Sequence, residues 1–262
     1  MPICRDADQP DLYYQMNGHG CPLLLIAPPG MGHVTFHYQK ELRDICTVIT
    51  FDIRGDGRSD SSDPSFTMNE LVDDVRRVLD TNQIDRAVIC GYSNGGCIAQ
   101  EFALKYPQKT IGLMLIGGYY AVNSFLLQKE YQIGIWIAQR KWMKWLSIGL
   151  AKNHFRDHQV ATEMIEEMKQ TDPVSLARQY EIGLHYSCEN RLSQLQMPLL
   201  LLYGSRDFYI HAYQHRYRKQ VEDVEIAYIG KSKHQVPTKH AHVCNAIIRE
   251  WLKRKRLVSS DD

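Results

Sequence analysis

No stretch of this 262-residue chain is long and apolar enough to cross a bilayer. The longest apolar run, Ile111 to Val122, falls well short of the ~20 residues a spanning helix needs, and three glycines interrupt it. Charge of one sign is also lacking. Lys and Arg number 31 against 30 Asp and Glu, a balance of +1 that argues against a general nucleic-acid binder. The seven cysteines (4, 21, 46, 90, 97, 188 and 244) include no C-x-x-C pair, which removes zinc ribbons and thioredoxin-type chemistry. Several sit in apolar runs, where a reduced cysteine behaves as a small core residue. The start, Met-Pro-Ile-Cys-Arg-Asp, offers no apolar signal segment. A reduced, cytoplasmic protein is expected, without stable membrane association. Internal repeats and low-complexity segments are missing as well.

What is present is a regular alternation. Leu12–Met16 and Leu23–Ala27 read as strands joined by the turn Asn17-Gly18-His19-Gly20. Thr47–Phe51, Ala87–Cys90, Leu113–Ile116, Leu199–Tyr203 and Glu225–Ile229 follow as short, nearly all-apolar strands. Such runs imply burial on both faces, as in a parallel sheet covered by helices. Between them, Met68–Leu79 places Leu71, Val75, Val78 and Leu79 on one face, and Ile98–Tyr106 is a second helix. His240–Leu252 places Val243, Ala246, Ile247 and Trp251 together. The fold class is α/β with right-handed crossovers. From Ala121 to about Gln196 only helical patterns occur, too long a stretch for one crossover. It reads as a helical cap over residues 121–196, inserted into a core formed by 1–120 and 197–262. Within it, Asp172-Pro173 has the form of an N-cap followed by a first-turn proline.

The chemistry-bearing sequence is Gly91-Tyr92-Ser93-Asn94-Gly95, between the strand Ala87–Cys90 and a helix. G-x-S-x-G in a strand–turn–helix context is a nucleophile elbow. A sharp turn brings strand and helix backbones together, so small residues must flank the serine. Two partners follow, each just past a strand: Asp207 in Gly204-Ser205-Arg206-Asp207, and His234 in Gly230-Lys231-Ser232-Lys233-His234. Parallel strands bring all three to one sheet edge, in the order Ser, Asp, His. The histidine is then the base for Ser93, and Asp207 fixes its tautomer.

With these residues the whole chain resembles the α/β-hydrolase superfamily, in its serine-nucleophile, cap-bearing branch. Phe51-Asp52-Ile53-Arg54-Gly55-Asp56-Gly57-Arg58-Ser59-Asp60 is similar to that family's D-x-R-G-x-G-x-S turn. The resemblance implies an eight-stranded, mostly parallel sheet with a helical cap after strand six. It also implies a Ser93–His234–Asp207 triad, a structural role for Asp52 and Arg54, and neither a metal nor an organic cofactor. One departure stands out. Where many relatives carry His-Gly-x after the strand equivalent to Leu23–Ala27, this chain reads Ala27-Pro28-Pro29-Gly30-Met31-Gly32. Proline cannot donate, so the expected second oxyanion amide moves to Met31 or Gly30, beside the first at Asn94. Tyr92, Tyr119, Trp136 and Trp142 are candidate substrate contacts, although the cap tryptophans can equally pack on the cap itself.

Histidines at 154, 158, 185, 211, 215, 240 and 242 form no H-E-x-x-H pattern and read as surface or helix-end residues. The run Lys253-Arg254-Lys255-Arg256 reads as a complement to a helix dipole. The expected activity is hydrolysis of an ester-like bond in a small apolar substrate. Lactone, thioester and C–C cleavage on the same triad stay open, as does a non-catalytic ligand-binding protein of this fold. Oligomeric state is open.

Overall fold

The computed structural model describes residues 2–61 and 65–258. Eight strands form one sheet: β1 (Ile3–Asp6), β2 (Gln9–Asn17), β3 (Cys21–Ile26), β4 (Cys46–Phe51), β5 (Ala87–Tyr92), β6 (Thr110–Ile116), β7 (Leu199–Gly204) and β8 (Val224–Ile229). Their spatial order is β1-β2-β4-β3-β5-β6-β7-β8. From β4 to β8 every pairing is parallel, while β1 and β2 run antiparallel at one edge. The turn at 17–20 joins β2 to β3 as expected, but two features were not evident from sequence. The turn at 17–20 does not make a hairpin, because β4 lies between β2 and β3. The short β1, with only Cys4 fully buried, carries too little apolar pattern to be seen in sequence.

Ten α-helices are described. Helix α1 (Met68–Thr81) and α2 (Gly95–Lys105) cover one face of the sheet. A capping box starts α1, with Thr67 N–H donating to Glu70 at 2.8 Å, and Leu71, Val75, Val78 and Leu79 are buried as expected. Four helices lie between β6 and β7: α3 (Phe125–Gln139), α4 (Met143–His154), α5 (His158–Met168) and α6 (Pro173–His185). Asp172 caps α6 through Ser175 N–H at 2.8 Å. The short α7 (Phe208–His211), α8 (Gln214–Gln220) and α9 (Val236–Lys239) precede α10 (Ala241–Arg254).

Helix α10 packs on the second face, together with the 3-10 segment His33–Asp44. Its buried stripe is Cys244, Asn245, Ile248, Trp251 and Leu252, whereas Val243 and Ala246 face outward. The expected face was rotated by about one residue. Asn245 explains it: this buried amide accepts from Gln39 Nε2 (3.0 Å) and donates to the Tyr38 carbonyl (2.9 Å). A paired polar group occupies a core position that apolarity alone would not select. At the end of α10, Arg254 and Lys255 pair with Glu225 and Asp223 beside β8.

Candidate active site

At the carboxyl end of β5 the chain turns sharply into α2. Ser93 occupies this turn at φ +51°, a left-handed conformation that side-chain-bearing residues rarely adopt. Its N–H is fixed on the Ile116 carbonyl at 2.8 Å. A Cβ at Gly91 would stand 2.5 Å from both the Gly95 carbonyl oxygen and the Gly96 Cα, so the close approach that makes the turn requires glycine.

His234, in the loop after β8, places Nδ1 2.7 Å from Asp207 Oδ2. Asp207 follows β7 and is almost fully buried. The imidazole is held from two further sides. Tyr92 lies against it at 5.4 Å between ring centroids and donates its hydroxyl to the His234 carbonyl at 3.2 Å. Gly117, at φ +58°, leaves the ring its space: a Cβ there would lie 2.7 Å from Cε1.

Ser93 and His234 open on one cavity of about 320 Å³ between the sheet edge and helices α3, α4 and α6. Tyr92, Tyr119, Asn94 and Met31 line it too, along with Leu127 and Ile137 of α3 and Leu146 of α4. Trp136 and Trp142 are not among its lining residues. They meet edge-to-face at 4.9 Å on the outer side of α3, each about half exposed. The reason is helical phase: Leu127, Tyr131, Gly134 and Ala138 form the inward stripe of α3, and Trp136 lies on the opposite side.

The loop after β3 also differs from expectation. Met31 N–H donates to the Pro28 carbonyl at 3.2 Å, and Gly30 N–H donates to Asp56 Oδ2 at 2.8 Å. Both amides proposed from sequence are engaged within the protein, while Pro28 and Pro29 line the cavity with no donor to offer. Asp56 is fully buried and also accepts from Gln179 at 3.0 Å, tying this loop to α6. Burial pushes its carboxyl up to about 8. Asn94, by contrast, is the N-cap of α2, where its amide has no intrahelical acceptor.

Tyr119, expected as a substrate contact, and His154, expected at a helix end, both line the cavity and take more specific places there. The Tyr119 hydroxyl is hydrogen-bonded to that of Tyr131 and neighbours the Ser93 side chain. Burial holds both phenols well above their usual range, so they stay protonated donors at neutral pH. His154, the last residue of α4, is buried against the cavity 6.0 Å from the Tyr92 ring. Burial, reinforced by His234 and Lys239, lowers its pKa to about 3, leaving a neutral imidazole. A helix-end position was legible for it, but which way the side chain turns depends on how α4 packs over the sheet edge.

Asp52 and Arg54 serve the framework. Asp52 accepts from His33 N–H (2.7 Å), His33 Nδ1 (2.8 Å) and Arg58 N–H (3.0 Å), while Arg54 is bidentate on Asp74. Glu167 lies close to His33 and Asp52 in a group that could hold a metal. Here its carboxylate is bonded by the Arg58 guanidinium, a cation already in place.

A family model described as serine aminopeptidase, S33, matches residues 42–238, most of the chain. A putative carbamate hydrolase, RutD of Azorhizobium caulinodans, is 33% identical over 129 residues, 48% of either chain. The match thus spans about half the length of that curated relative. Among solved structures, an enol-lactonase from Burkholderia xenovorans LB400 superposes with a TM-score of 0.84 at 18% identity, covering 96% of this chain and 100% of that one. A thermophilic esterase from Thermogutta terrifontis gives 0.82 at 22% identity, covering 97% of both. At such identities the structural likeness speaks to the fold, and the family match to descent. The chain belongs to the serine aminopeptidase S33 family of the α/β-hydrolases.

Proposed function

We propose that this protein hydrolyses an ester-like bond of a small, largely apolar substrate through an acyl-enzyme on Ser93, as a carboxylesterase-like serine hydrolase. The observation that carries the reading is one juxtaposition. A serine held at φ +51° opens on the same cavity as an imidazole already tied to a buried carboxylate at 2.7 Å. In this mechanism Ser93 Oγ bonds the carbonyl carbon while its proton passes to His234 Nε2. That proton then leaves with the alcohol, and water repeats the sequence to release the acid. Asp207 holds the tautomer and stabilises the imidazolium. Asn94 N–H is the first oxyanion donor. The second role falls to the Tyr119 hydroxyl, which neighbours Ser93 where the loop after β3 presents prolines. The helices over residues 121–196 act as the cap that shapes the pocket. The esterase and lactonase neighbours agree with an acyl substrate, and seven free cysteines fit a reducing cytoplasm.

A second reading, a ligand-binding protein with slow or no turnover, draws on that same loop. With Pro28 and Pro29 in the cavity wall, a backbone pair for the oxyanion is incomplete. One experiment separates the two: turnover of p-nitrophenyl acetate and butyrate, with lactones, thioesters and vinylogous 1,5-diketones in parallel. Ser93→Ala is expected to lower kcat on the best substrate by ~10⁴ or more with the fold intact. Undiminished turnover in that variant contradicts the mechanism, and ligand binding without turnover in the wild type favours the second reading.

A further inference from the structure

The outer side of the cap is unlike the rest of the surface. Six large apolar side chains stand exposed within residues 125–145: Phe125 (70%), Leu126, Ile133, Trp136, Trp142 and Trp145 (67%). Three of the four tryptophans in the chain are therefore on one helical hairpin. On α3, Phe125, Lys129, Ile133, Trp136 and Arg140 fall along one stripe, opposite the buried Leu127, Tyr131, Gly134 and Ala138. Contact between Trp136 and Trp142 joins this stripe to the start of α4.

Cations are interleaved with the rings. Lys129 lies over Phe125 at 5.6 Å, Arg140 over Trp136 at 5.5 Å and Lys144 over Trp145 at 5.8 Å. Between residues 125 and 152 there are five cations (Lys129, Arg140, Lys141, Lys144 and Lys152) and one carboxylate, Glu130. All five cations are exposed. This stretch carries +4 in a chain whose total is +1.

We infer that this face docks reversibly on an anionic phospholipid surface. Tryptophan and phenylalanine settle at the headgroup boundary, long cationic side chains reach lipid phosphates, and each basic residue near a charged leaflet adds attraction. The charge decides between occupants. In a two-fold dimer the patch would meet itself, opposing +4 with +4, whereas an anionic bilayer complements it. Ile133 belongs both to this face and to the cavity lining, so docking sets the cavity wall against the lipid. The contact is peripheral, consistent with the lack of any described helix able to span a membrane.

The test uses the whole chain with vesicles of phosphatidylcholine alone or mixed with phosphatidylglycerol, read by co-sedimentation and by tryptophan emission. Binding to the anionic vesicles, a blue shift, and loss of both on raising salt are expected. Phe125→Ala with Trp145→Ala should weaken binding by ~10-fold or more, and Lys141→Glu with Lys144→Glu should abolish it. Thermal unfolding and turnover of a soluble ester should stay unchanged in both. No affinity for anionic vesicles, equal affinity for neutral ones, or a Trp145-dependent dimer without vesicle binding would overturn the proposal. The lipid-composition and salt arms need only the wild type, so they decide even where a variant fails to fold.

Discussion

Ser93 pays a conformational cost for its position. A non-glycine residue at φ +51° costs on the order of 1 kcal/mol or more, and such strain persists only where the surroundings enforce it. Its neighbours carry the residue-scale predictions. Tyr119→Phe removes the hydroxyl assigned to the oxyanion, so kcat should fall by ~10²–10³ with KM little changed. A change in thermal stability alone would mark Tyr119 as purely structural. His154 supplies the pH prediction. Its folded pKa, about 3, lies below its unfolded value near 6.5. The folded state thus prefers the neutral ring, and this contribution is present above pH ~6.5 and is lost as pH falls toward 3. His154→Gln should flatten the loss of stability on acidification, by about 2 kcal/mol between pH 7 and 5. Denaturant titrations at the two pH values measure it, and an unchanged pH slope would contradict the assignment. Ser93, Asp207 and His234 were legible in sequence because each follows a strand at a short, fixed offset. Tyr119 and Met31 were legible only as neighbours of the site. The partner of a hydroxyl or an amide is a three-dimensional fact, and the Met31 N–H turned out to be bonded to Pro28.

At the scale of elements, the parallel strands were easy to recognise because burial on both faces leaves almost no polar residue in them. Strand β1 and the position of β4 were not, since one is short and half exposed and the other depends on long-range pairing. The same limit applied to the helices between β6 and β7, where phase decides which side of α3 faces the cavity. The element of greatest consequence for the site is the β6 exit. Gly117 ends it in a left-handed conformation against the His234 ring. Gly117→Ala should displace that imidazole and lower kcat by ~10²-fold, because small misplacements of a reacting group cost that much. Thermal stability should fall only modestly, by about 1 kcal/mol for the backbone conformation. A variant with full activity would show that the ring has room to spare.

At the scale of the molecule, helices α5 and α6 are joined to the sheet and its loops by a frame of polar contacts. Asp56 links the loop after β3 to Gln179, Arg58 binds Glu167, and the Asp172 N–H donates to the Gly55 carbonyl at 2.8 Å. All three run through the turn at residues 52–60, which gives that turn a framework role. The central claim is that this frame activates one serine. Its most direct test is a fluorophosphonate label on the folded protein, located by peptide mass spectrometry. The account predicts one adduct, on Ser93, formed rapidly in the wild type and at least ~10²-fold more slowly in His234→Ala, where the general base is gone. Labelling elsewhere, or labelling of Ser93 at a rate indifferent to His234, would contradict it.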